Sequence, residues 1–73
     1  MSRKLRDDPF AALADNLTYY RRKQHVTREI LAERLGLRVD VIEQIESGER
    51  KVTMPTLARL ATALGVSTQQ LIR

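Results

Sequence analysis

The 73-residue sequence contains no cysteine, so neither disulfides nor thiolate-held metals can staple it. No apolar run approaches the roughly 20 residues that span a bilayer. The opening Met1-Ser2-Arg3-Lys4-Leu5-Arg6 leads into no apolar signal stretch. A cytoplasmic protein with no membrane role is therefore expected. Period-two alternation is missing throughout, which leaves no candidate strand. Also missing are a nucleophile–base–orienter set, a glycine-rich phosphate loop and a cluster of metal ligands. His25, the single histidine, stands in a polar turn without convergent partners. These absences argue against an enzyme, and no catalytic residue, metal, cofactor or small-molecule ligand is expected.

What is present fits one small soluble domain. Hydrophobic residues make up 42% and charged residues 30%, a balance that folds. The net charge of +4 is unevenly placed. Residues 1–28 carry Arg3, Lys4, Arg6, Arg21, Arg22, Lys23 and Arg28 against Asp7, Asp8 and Asp15, whereas residues 29–73 are balanced. A basic excess on one part of a small domain is the footprint of a nucleic-acid binder, although a solvated surface would give the same count.

Residues 1–8 read as a flexible basic arm, with Arg3, Lys4 and Arg6 available to reach DNA, and residues 9–73 as the folded domain. Asp7-Asp8-Pro9 opens a first helix to about Lys23, and Phe10, Leu13, Leu17 and Tyr20 line one face of it. Thr27 caps a second helix that ends at Gly36; a third runs from about Val39 to Glu46, with Gly48 as its terminator. Arg38, at the third helix's cap position, cannot accept a hydrogen bond, and Asp40 offsets this by meeting the helix dipole. Thr53 caps a fourth helix closed by Gly65, and Ser67-Thr68-Gln69-Gln70 is a capping box for a fifth. The fold class is all-α, with five helices and no long internal repeat. Tyr20 and Met54 read as core, and Tyr19 as partner-facing.

The second and third helices are joined by only Gly36-Leu37-Arg38, a turn that sets helices at roughly 90–120°. Ala32 is small where they cross, and Leu31, Leu35, Leu37, Ile42 and Ile45 hold both on a common core. This segment, residues 28–47, resembles the helix-turn-helix of the lambda-repressor-like family, which includes Cro-type repressors and XRE-type regulators. Thr27-Arg28-Glu29-Ile30-Leu31-Ala32-Glu33-Arg34-Leu35-Gly36-Leu37 resembles the family's S-Q-E-E-L-A-x-x-L-G-V. Further on, Ile42-Glu43-Gln44-Ile45-Glu46-Ser47-Gly48-Glu49-Arg50 resembles I-x-x-[IW]-E-x-G-x-R, and Thr56 to Val66 is similar to T-L-x-x-I-A-x-A-L-G-V. The likeness covers about residues 10–72.

The resemblance implies a sequence-specific DNA-binding transcriptional regulator, of repressor or controller type, whose third helix enters the major groove. Val39, Asp40, Glu43 and Gln44 would then face base edges. Gln44 suits adenine, Asp40 or Glu43 suits cytosine, and Val39 suits a thymine methyl. Thr27, Arg28, Arg38, Ser47, Arg50 and Lys51 would hold phosphates. The resemblance also implies an internal ion pair of Arg21 with Glu46. So small a domain reaches specific affinity most readily as a homodimer on a pseudo-palindromic operator, and Val66, Leu71 and Ile72 are the expected dimer surface. Two positions depart from the family: Arg28 stands for the frequent Gln, and Arg38 for a Ser or Thr cap. With Asp40, Glu43, Glu46 and Glu49 the reading segment is acidic. That supports one alternative, a helix-turn-helix module that binds a protein partner in the manner of an anti-repressor or antitoxin.

Overall fold

A computed structural model describes residues 9–73, so the arm and its Arg3, Lys4 and Arg6 lie outside the described residues. Five helices follow in order: α1 (Pro9–Lys23), α2 (Arg28–Leu35), α3 (Val39–Glu46), α4 (Met54–Leu64) and α5 (Thr68–Ile72). No strand occurs among the described residues.

Local chemistry sets most boundaries. The hydroxyls of Thr27 and Thr53 each accept from the backbone N–H three residues on, fixing the starts of α2 and α4. Ser67 and Gln70 form the reciprocal capping box of α5. Gly36 and Gly65 close α2 and α4 in the left-handed region, where a side chain would clash with the backbone. After α1 the same conformation falls to His25, at φ 57°, whose N–H donates to the Arg22 carbonyl. Histidine tolerates this region better than most residues, and a helix terminator is the structural part it plays.

Packing gathers the five helices into one core. α1 lies against both α3 and α5, α2 crosses α3 and touches α4, and α4 meets α5. Leu13, Leu17, Leu31, Ile42, Ile45, Leu60 and Leu71 are fully buried in it, each burial contributing about 1.5–3 kcal/mol. Three side chains far apart in sequence finish helix ends by donating to otherwise open carbonyls. Asn16 reaches Leu71 O at 2.8 Å and Arg73 O at 3.3 Å, Gln24 reaches Leu64 O, and Arg59 reaches Leu35 O.

Two expectations are corrected here. Leu71 is 0% exposed, because α5 folds back onto α1 and buries it in the protomer's own core, so it has no surface to offer a second copy. Met54 is 69% exposed, because as the first residue of α4 it precedes the turn that contacts the core. Tyr20 is half-buried against the core and Tyr19 is exposed, as the spacing suggested. No described helix is long and apolar enough to cross a membrane.

Candidate nucleic-acid interface

Glu46, the last residue of α3, fixes that helix relative to the two others it meets. Its side chain is 3% exposed and accepts from Arg21 Nε at 2.5 Å, from Arg21 Nη2 at 3.2 Å and from Arg28 Nε at 2.8 Å. Arg21 is itself buried and gives Nη1 to the Val26 carbonyl at 3.0 Å. One carboxylate thus joins α1, the start of α2 and the end of α3. The Arg21–Glu46 pair was expected; the second arginine was not. Burial pushes the Glu46 carboxyl up, but hydrogen bonds and charge from Arg21 and Arg28 outweigh it and hold the group below the usual carboxylate range. The same bond raises the Arg28 guanidinium above its ordinary value.

With its inner side fixed, α3 presents the remaining positions outward. Ile42 and Ile45 are buried, Asp40 and Glu43 are exposed, and Gln44 is half-buried. Val39 is half-buried and packs partly on the core, which leaves less of it for a ligand than the sequence suggested. Arg38 precedes α3 with an extended backbone and makes no capping bond. Its guanidinium lies 3.4 Å from Asp40, both being well exposed, so the pair contributes little.

The remaining nominated residues flank this helix. Thr27 uses its hydroxyl oxygen to accept from Ile30 N–H, which leaves the hydroxyl proton to give away. Beyond α3 the chain turns through Gly48 at φ 81° and doubles back. The Gln44 carbonyl then accepts from the N–H groups of Glu49 at 3.0 Å and Arg50 at 3.2 Å. Ser47 Oγ lies 3.0 Å from that carbonyl and 2.9 Å from Glu49 Oε1, one of which takes its proton. The Arg50 side chain reaches back along α3, and its Nε donates to Gln44 Oε1 at 2.8 Å. Lys51 places its ammonium 5.8 Å from the centre of the Phe10 ring.

Thr27, Arg28, Arg38, Ser47, Arg50 and Lys51 all lie at the N-terminal end of α2 or in the two segments that flank α3. The side-chain bonds Arg28–Glu46 and Arg50–Gln44 escaped the sequence reading. A guanidinium within reach of a glutamate or glutamine on an amphipathic helix was their only available signal.

Comparison with known proteins bears on the same elements. A helix-turn-helix family profile matches residues 17–71. The control protein C.SmaI of Serratia marcescens is 42% identical over 60 residues, 82% of this chain and 71% of that protein. The crystal structure of a hypothetical transcription factor, NHTF, from Neisseria superimposes with a TM-score of 0.87 at 28% identity, covering 93% of this chain and 78% of that one. The restriction-modification controller protein C.AhdI of Aeromonas hydrophila gives a TM-score of 0.80 at 27% identity, over 85% and 94% of the two chains.

Proposed function

Because the chain belongs to the XRE-type helix-turn-helix family of DNA-binding regulators, we propose that it is a controller-type regulator that reads an operator through α3. The observation that carries this reading is the division of α3. Ile42, Ile45 and Glu46 anchor it to the domain, while Asp40, Glu43 and Gln44 stand outside the buried core, where they can meet base edges. Similarity to C.SmaI and C.AhdI favours the controller type over other regulators of this family.

Phosphate contacts fall to the two flanks of α3. Arg28 spends Nε on Glu46, and no group among the described residues takes its Nη hydrogens. It is a phosphate ligand held in place before DNA arrives, and Arg28→Ala reduces the salt slope of binding by about one. Thr27, Arg38, Ser47 and Lys51 add further contacts of this kind, which set register without reading sequence.

The functional unit we propose is a homodimer on a two-fold operator. With Leu71 committed to the core, its surface draws on Val66 and Ile72, both half-buried. Ile72 also lines an apolar hollow of about 250 Å³ with Phe10, Val52, Met54 and Leu57. Such a dimer is expected to set its two α3 helices roughly 34 Å apart, one turn of the DNA helix.

Selection from a random double-stranded DNA pool at about 0.1 M salt tests the proposal, since lower salt lets phosphate attraction mask base preference. A motif with two-fold symmetry and half-site centres about 10 base pairs apart is expected. An asymmetric single half-site would remove the dimer. No enrichment by folded protein would remove the regulator reading and favour a protein partner instead.

A further inference from the structure

α2 and α4 together carry a surface that none of the contacts proposed above uses. Where the last turn of α2 meets the outward side of α4 lies an open hollow of about 350 Å³, lined by Arg34, Leu35, Ala58, Arg59, Thr62 and Ala63. Its floor is mostly apolar, and the small side chains of α4 leave it unfilled. Both arginines at its rim are exposed. Arg59 donates from Nη2 to the Leu35 carbonyl, which fixes that guanidinium in place. No carboxylate among the described residues pairs with Arg34 or Arg59, and residues 50–73 contain neither aspartate nor glutamate. The hollow is an apolar seat with an unopposed positive rim.

A matching half stands beside it. Ile30, a large apolar residue, is 40% exposed. At roughly 100° per residue, Glu29, Glu33, Ile30 and Arg34 follow one another round the outward side of α2, and all four are exposed. Ile30 thus lies between two carboxylates and the edge of the hollow. Neither Glu29 nor Glu33 has an ion-pair partner among the described residues. Side by side on one surface, the acidic and basic halves do not touch within the chain. Across a two-fold axis they do, because each copy's acidic half then faces the other copy's basic half.

We infer that this α2–α4 face is a self-complementary interface for a second copy of the chain. Ile30 of each copy seats in the hollow of the other, with Glu29 and Glu33 facing Arg34 and Arg59. An apolar centre inside a charged rim is the anatomy of a specific interface. Exposed rim pairs supply register more than affinity, so the contact is weak and forms at high protein concentration. A DNA phosphate would gain nothing from the apolar floor. None of these residues is among those proposed to meet DNA or to form the Val66 and Ile72 surface, so this contact competes with neither for a side chain.

Sedimentation velocity of the full chain, from about ten micromolar to about one millimolar, tests this with two charge reversals, Glu33→Arg and Arg34→Glu. Both positions are exposed, so both variants should fold, and circular dichroism checks that they do. The wild type is expected to pass beyond the dimer as concentration rises. Each reversal sets like charges opposite one another and should weaken this step on the order of tenfold. Mixing the two variants places opposite charges across both halves of the contact and should restore it, although each variant keeps a net positive charge. Ile30→Asp should abolish the step alone and in mixtures. In an Ile72→Asp background that lacks the dimer proposed above, the same series should run from monomer to dimer, which separates the two surfaces. Association that neither reversal weakens would overturn the inference, as would a mixture that associates no better than its parts. So would a wild type that forms no species beyond those Ile72→Asp removes.

Discussion

The α2–α3 and α4–α5 connections share one backbone and diverge at the residue after it. Leu31-Ala32 and Leu60-Ala61 each stand four residues before a glycine with φ 67° and ψ 30°. Each glycine donates to the carbonyl three residues back, and the following N–H, of Leu37 or Val66, donates five residues back, to Ala32 or Ala61. Then the paths part chemically. Ser67 closes the start of α5 with a full capping box, while Arg38, in nearly the same extended conformation, gives α3 no capping bond. The helix that takes no part in the proposed DNA contact has its N-terminus satisfied by its own side chains. The helix proposed to meet DNA does not, and it carries a cation there instead.

Attachment of the two second helices differs in the same sense. Asn16 holds α5 through neutral bonds to its last carbonyls, whereas Glu46 holds α3 through two arginines. The largest expected effect comes from removing that charge. Glu46→Gln leaves Arg21 buried without its counter-ion and should cost about 3–5 kcal/mol in urea unfolding. It should also change the pH response. The Glu46 carboxyl sits below its unfolded value of about 4.3, so its contribution is complete above that pH and is lost as pH falls through the lower folded-state value. Unfolding midpoints of the wild type should show this acid loss, and those of Glu46→Gln should lack it.

Next in size are Gly36→Ala and Gly65→Ala. Beyond its own chain neighbours neither new methyl group would meet an atom within 4 Å, so the cost is local backbone strain alone, roughly 1–2 kcal/mol at each site. Equal losses would support the equivalence of the turns, and losses differing by more than about 0.5 kcal/mol would break it. The cap positions give the smallest change and the sharpest contrast. Ser67→Ala should lose about 1 kcal/mol, and Arg38→Ser should gain about as much. Either shift moves the melting temperature by about 4–8 °C. Arg38→Ser should at the same time weaken DNA binding, and a variant gaining stability without that loss would separate Arg38 from the interface.

Much of this architecture was legible because it is local. Thr27, Thr53 and the Ser67–Gln70 box act within one turn, and Gly36 and Gly65 act within two residues. The corrections concern contacts made at a distance. Leu71 lies on a helix too short to show which side faces inward, and its burial depends on α1, more than fifty residues away in sequence. Met54 follows the apolar spacing of α4 but stands one turn too early to touch the core. Arg28 read as a surface charge because nothing nearby in sequence marks Glu46, eighteen residues on, as its partner. The candidate reading positions were found through spacing and resemblance. The state of one of them, Gln44, depends on a loop that returns over the helix.

Only Ile42 and Ile45 of α3 are fully buried; Val39 and Val41 pack partly on the core, and Glu46 adds an ionic tether. Asp40 and Glu43 can therefore be randomised in a library with little loss of folded clones. Gln44 is different, since a new side chain there inherits an arginine already leaning on it. A designer who wants a new half-site should vary Gln44 and Arg50 together and treat them as a single letter of the reading alphabet.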